Sequence, residues 1–202
     1  MTGPTDSPLY PYKESPSQTA GPYVHIGLTP NFCGIEGVYD SDLGTTMVSD
    51  KTQGERITLE GRVFDGGGNL LKDALVEIWQ ADSDGIYHAK ASPDFSGWGR
   101  CPADAETGVF RFDTIKPGRV PFPDGKLQAP HINLWIVARG INLGLNTRIY
   151  FADEADANAA DPVLSRIEHR DRVTTLIAKG GAGRFSHDIH LQGPQETIFF
   201  DI

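Results

Sequence analysis

From residue 56 onward the chain is written in short runs of alternating apolar and polar side chains, the pattern of strands with one buried face. ITLEGRVFD (57–65) alternates, GGGN (66–69) carries turn chemistry, and LLKDALVEIWQAD (70–82) resumes the alternation through Leu75, Ile78 and Trp79. This predicts strand, hairpin, strand. Further strands are expected at 108–114 (GVFRFDT), 131–138 (HINLWIVA), 146–151 (NTRIYF), 185–191 (FSHDIHL) and 196–201 (ETIFFD). Short strands at close intervals with Gly and Pro between them predict an all-β chain folded as a β-sandwich.

Two stretches depart from that period. Asp161 can cap and Pro162 can open a helix in which Val163, Leu164 and Ile167, then Val173, Leu176 and Ile177, recur at helical spacing, with Gly180 and Gly181 to end it. A small helical insertion is therefore expected. At the start of the chain, prolines 4, 8, 11, 16 and 22 exclude helix and central strand, which leaves an extended N-terminal arm ordered by packing on something else. The expected organisation is an arm and lead-in over residues 1–55 and the sandwich over 56–202, one domain overall.

Composition narrows the function classes. Eighteen Lys and Arg against 27 Asp and Glu give a net charge of −9, a field that repels phosphates and argues against nucleic acid. Two cysteines, Cys33 and Cys101, are too few for a disulfide framework, and they lack metal-ligand spacing. The opening residues have neither a basic start nor an apolar stretch, and the apolar run 134–138 is far too short for a bilayer. A cytoplasmic protein without a membrane partner is expected.

Histidine is the first place to look for chemistry, as the commonest metal ligand and acid–base group. On a strand, residues two apart share a face, so His-x-His makes a metal pincer. Here the sequence offers His131-Ile132-Asn133, whose second position is an amide, a poor ligand for a transition metal. His187 and His190, three apart, read as partly exposed edge histidines, and His169, among Glu168, Arg170 and Arg172, as part of a solvated face. No nucleophile elbow, phosphate loop or zinc signature appears.

Several segments are similar to the intradiol ring-cleaving dioxygenases: PSQTAGPYVHIGL (16–28), GRVFDGGGNLLKDALVEIWQADSDGIYHAK (61–90), TIKPG (114–118), APHIN (129–133), ARGINLGLNTRIYF (138–151) and ETIFFD (196–201). They run in the family's order over nearly the whole chain. The resemblance implies a β-sandwich and a ferric iron held by two tyrosinates and two histidines, ligands that suit a hard cation. It also implies a catecholic substrate opened by O₂.

Residue by residue, the resemblance places Tyr87 at the first tyrosine ligand and His131 at the first histidine. Val120 stands where the second tyrosine would be, and Asn133 where the second histidine would be. Gln128 replaces an arginine suited to charge that develops on the substrate. The chain accordingly resembles a non-catalytic alpha-type subunit whose homologous beta partner binds the Fe³⁺. In such a subunit Tyr87 and His131 are remnants in a polar network, and the arm reaches toward the partner's iron. The implied substrate is a small aromatic acid, 3,4-dihydroxybenzoate, and the implied assembly is a higher oligomer of heterodimers. Thr19, Gly21 and Pro22 are expected to line the shared pocket. Arg139 is expected to meet the substrate carboxylate, because guanidinium matches its geometry. A subunit-contact salt bridge is the alternative for Arg139, and Arg148 is a weaker candidate for the carboxylate.

Overall fold

The computed structural model describes residues 19–21, 23–88, 94–142 and 144–201. Its strands are β1 (Arg56–Gly61), β2 (Val63–Phe64), β3 (Leu75–Gln80), β4 (Trp98–Pro102), β5 (Phe110–Ile115), β6 (His131–Val137), β7 (Leu145–Phe151), β8 (Ile177–Gly181), β9 (Arg184–Ser186) and β10 (Ile189–His190). Two short helices, α1 (Tyr23–Leu28) and α2 (Ala155–Ala159), accompany them. Eight strands join in the order β4-β3-β6-β7-β8-β9-β1-β5, and β2 pairs with β10.

One strand turns this ribbon into two layers. Ile177 and Ala178 of β8 pair with Tyr150 and Phe151 of β7, whereas Lys179, Gly180 and Gly181 pair with β9. Gly180 makes the corner possible: its φ is +127°, and a Cβ there would lie 2.1 Å from the Arg184 carbonyl oxygen. Inward residues of both layers then meet in one core, with Leu59 of β1 and Phe110 of β5 on one side and Ile78, Leu134 and Ile149 on the other. The all-β sandwich expected from the alternation is the fold observed.

Several local expectations are corrected. The turn at 66–69 forms, with Asp65 N–H donating to Asn69 O at 2.9 Å and Leu71 N–H to Val63 O at 2.8 Å. The pairing stays local, with Phe64 of β2 bridged to Leu70; the longer strands on either side do not pair with each other, since β1 lies between β5 and β9, and β3 lies between β4 and β6. Turn chemistry fixes a local reversal, whereas strand partners follow from where the apolar faces are buried. The single helix expected after Asp161 is instead two 3₁₀ stretches, Leu164–Arg166 and Arg170–Leu176, with extended backbone at Ile167. Asp161 does cap as expected, its Oδ1 accepting from Val163 and Leu164 N–H, both at 2.8 Å. Its Oδ2 accepts from Ala129 N–H at 2.7 Å, which ties the segment down on the sheet. Leu164 and Leu176 are buried there against Tyr150 and Ala129. Gly180 and Gly181, expected to end the helix, form the strand corner.

The tail at 196–201 holds a single bridge, Asn146 with Phe200, and the 185–191 run splits into β9 and β10. β4 carried no alternation to announce it; it is held by pairing with β3.

Candidate functional site

The ladder of β6 between β3 and β7 places the histidine-asparagine pair. His131 lies opposite Tyr150, and Asn133 lies between Trp79 and Arg148. Tyr87 arrives on a tight loop after β3. Asp82 Oδ1 accepts from Asp84 and Ile86 N–H, each at 2.9 Å, and Asp82 N–H donates to Ile86 O at 3.0 Å. Gly85 (φ +79°) lets this loop touch the 118–120 segment, since a Cβ there would stand 2.0 Å from Arg119 O. Val120 is pinned by the same packing, its carbonyl accepting from Gln128 N–H at 2.8 Å.

Tyr87, His131 and Asn133 come together and satisfy one another. His131 Nδ1 faces the Ala129 carbonyl at 2.8 Å, an atom that can only accept, so the proton sits on Nδ1. Nε2 then carries a lone pair toward the Tyr87 hydroxyl, 3.3 Å away. That hydroxyl in turn accepts from Asn133 Nδ2 at 2.8 Å, and Nδ2 also donates to Trp79 O at 3.2 Å. Burial, helped by the nearby Arg148 charge, lowers the His131 pKa to about 4, so the ring is neutral near pH 7. Burial also raises the Tyr87 phenol above its ordinary value, against the opposing Asn133 hydrogen bond and Arg148 charge.

Gln128 is buried, and its Oε1 accepts from Arg148 NH1 at 2.9 Å. Arg148 NH1 also lies 3.5 Å from the Tyr150 hydroxyl. A cation is therefore present beside the cluster, but it comes from β7.

This donor set does not fit ferric iron. Val120 offers no donor atom in its side chain, and the Asn133 amide turns its N–H₂ toward Tyr87. Only Tyr87 and His131 carry atoms a ferric ion favours, and each is engaged by its neighbours.

A second group of expected residues gathers elsewhere. Ala20 pairs with Arg139 in a parallel bridge, and Gly140 N–H donates to Thr19 Oγ1 at 3.0 Å. Gly21 and Arg139 line one cavity with His25, Ile26 and Phe32. Pro22 lies outside the described residues. Arg139 Nε pairs with Asp73 Oδ2 at 3.0 Å, and its side chain remains 74% exposed, so water screens the pair. Arg139 follows the C-terminal end of β6, whereas His131 opens the strand. Eight residues of extended chain separate the two groups by about 25 Å.

Other histidines also take their places. His187, expected to be partly exposed, is buried at 5% exposure, and burial lowers its pKa to about 4. His190 is half-buried and stacks on Phe64, ring centres 5.1 Å apart. His169 is exposed as expected.

A family profile described as "Dioxygenase" matches residues 28–193. Catechol 1,2-dioxygenase from Pseudomonas arvilla C-1 has a similar structure: TM-score 0.54 at 26% identity, over 76% of this chain and 57% of that one. The chain belongs to the intradiol dioxygenase family. Within it, the sequence is 44% identical to the protocatechuate 3,4-dioxygenase alpha chain of Pseudomonas putida, over 96% of this chain and 99% of that one. It is 34% identical to the beta chain from Burkholderia cepacia, over 80% of this chain and 75% of that one.

Sequence reasoning ranked Arg148 low and missed Arg166, Phe122 and Phe200, which line a cavity with Asn133. The one available signal was Arg148 standing two residues before Tyr150 in a strand facing β6.

Proposed function

We propose that this chain is the non-catalytic alpha subunit of a protocatechuate 3,4-dioxygenase, completing the substrate pocket of a homologous beta subunit that holds the Fe³⁺. The pair would cleave protocatechuate with O₂ to 3-carboxy-cis,cis-muconate. The observation that carries this reading is the Tyr87–His131–Asn133 arrangement, in which Val120 supplies no donor and the Tyr87 oxygen is taken by an amide. The group around Arg139, about 25 Å along the strand, is too far away to serve that cluster, which supports a role at a neighbour's site.

Composition and surface agree. Tyr23, Ile26, Phe32, Ile35, Val38 and Tyr39 are exposed large hydrophobics on one contiguous lead-in, which suits a partner-covered face. In this reading residues 1–55 form the arm and lead-in to the sandwich of 56–202. Thr19, Gly21 and Pro22 border the pocket, Arg139 meets the substrate carboxylate, and the heterodimers assemble into a higher oligomer. Among the described residues no helix is long and apolar enough to cross a membrane. Cys33 and Cys101 are free thiols, which suits the proposed cytoplasmic location.

The test is to purify the full chain alone, its iron-bearing homologue alone, and the two co-expressed, and to measure iron content and ring cleavage in each. A colourless, iron-free chain that associates stably with its partner and raises its activity supports the reading. Stoichiometric iron in the chain alone, or no association, overturns it.

A further inference from the structure

Beside the Tyr87 cluster lies a cavity of about 520 Å³, bounded by Asn133, Arg148, Arg166, Ile198, Phe122 and Phe200 among others. No Asp or Glu is among its described lining residues. In a chain of net charge −9, two guanidiniums on one cavity without a carboxylate call for an explanation.

The two arginines are held without an ion pair among the described residues. Arg148 spends NH1 on Gln128 and Tyr150, and its guanidinium lies 5.9 Å from the Phe200 ring centre. Its Nε and NH2 edge has no acceptor among the described residues. That edge presents two parallel N–H groups, the geometry that receives a carboxylate in bidentate fashion. Arg166 stacks over Phe122 at 4.8 Å and makes no ion pair among the described residues. The nearby carboxylate of Asp161 makes no ion pair with either arginine among the described residues: it accepts from the N–H groups of Ala129, Val163 and Leu164 and from the Tyr150 hydroxyl, which stands between it and Arg148. Phe122, Phe200, Val163, Ile167 and Ile198 make an apolar wall that suits a flat ring, and Asn133, Asn146 and Thr147 complete the lining.

We infer that this cavity is a binding site of the chain's own for a single-ring aromatic carboxylate, its acid group on Arg148 and Arg166 and its ring between Phe122 and Phe200. The volume lies within the roughly 300–1,000 Å³ usual for small-ligand sites. With no donor side chain at Val120, a bound ring meets no redox centre here, so the site would hold its ligand without opening it. An occupied site would clamp the 3₁₀ segment of Arg166 and the tail of Phe200 onto the sheet.

The experiment titrates the purified full chain, without partner or iron, with 4-fluorobenzoate, read by fluorine NMR and calorimetry. One saturable site per chain is expected with submillimolar affinity. The neutral analogue 4-fluorobenzamide should bind at least about tenfold more weakly, since a hydrogen bond to a charged group is worth more than a neutral one. Arg166→Ala, at an exposed side chain, should weaken the acid by a similar factor, and Arg148→Met should do so with circular dichroism confirming the fold. No saturation up to about 10 mM, equal binding of acid and amide, or unchanged affinity in both variants would overturn the site. The readout needs neither iron nor ring cleavage, so a negative result here leaves the subunit assignment standing.

Discussion

The Asn133 amide donates to the Tyr87 hydroxyl at 2.8 Å. Two side chains expected from the resemblance to stand at metal-ligand positions are thus partners of each other. The same hydroxyl faces the His131 lone pair, so the Tyr87 oxygen, both His131 ring nitrogens and the Asn133 amide nitrogen each have a protein partner.

Restoring donors should restore coordination only when both gaps are filled. Asn133→His alone is expected to leave the chain colourless, because position 120 still contributes nothing. Val120→Tyr combined with Asn133→His should bind ferric iron and show tyrosinate charge-transfer absorption, checked by metal analysis and a visible spectrum. A coloured single variant would contradict the account.

Tyr87→Phe removes the one partner that the His131 Nε2 lone pair has among the described residues. Unfolding in denaturant should register a loss of about 1–3 kcal/mol, the cost of an orphaned buried acceptor. Ring cleavage by the assembled enzyme should change little, because this cluster does not meet the substrate in the proposed complex.

Arg139→Ala in the assembled enzyme should raise KM for protocatechuate at least about tenfold while leaving KM for catechol, which lacks the carboxylate, nearly unchanged. Steady-state kinetics on both substrates decide it; equal effects would refute a direct carboxylate contact. Asp73→Ala should alter folding stability by less than about 1 kcal/mol, since its pair with Arg139 is open to water.

Acid should weaken the fold through its buried imidazoles. His131 and His187 have folded pKa values of about 4, below the ordinary 6.5. Between those values the unfolded chain binds protons that the folded chain refuses, so stability falls as pH drops from 6.5 toward 4 and the effect levels off below. Each site accounts for roughly 3 kcal/mol across the window. Melting temperatures from pH 7.5 to 4 should show the decline, and His187→Asn should flatten part of it.

Gly85→Ala should destabilise by more than about 2 kcal/mol, because the added carbon would meet Arg119 O while the backbone holds a φ that favours glycine. Thermal denaturation measures this directly, and a wild-type melting temperature would refute the close approach.

Much of the layer structure was legible because it rests on a period. β1, β5 and β6 bury alternate residues much as the alternation demanded, and Asp161 capped as its chemistry required. The hairpin at 66–69 was legible only as a turn, since local hydrogen bonding cannot name the strand that will cover an apolar face. The helix expected after Asp161 failed for a related reason. Its apolar spacing was real, but Ala129 and Tyr150 drew Leu164 and Leu176 into two short 3₁₀ turns. His187 gave no sign of burial, because the β9–β10 segment that encloses it is anchored by long-range pairs to β1 and β2.

By itself the sequence determined the identity of each side chain at the four positions where the resemblance expects ligands, and so the lack of suitable donors at Val120 and Asn133. Residue types decide coordination chemistry before any geometry does. Only the tertiary structure decided that the Tyr87 oxygen belongs to Asn133 and that Arg148 and Arg166 share a cavity lined by no carboxylate among the described residues. Tyr87 and Asn133 are 46 positions apart, and Arg166 reaches the cavity from a 3₁₀ stretch, so burial of whole faces and the sheet register it sets, not local sequence, bring these groups together.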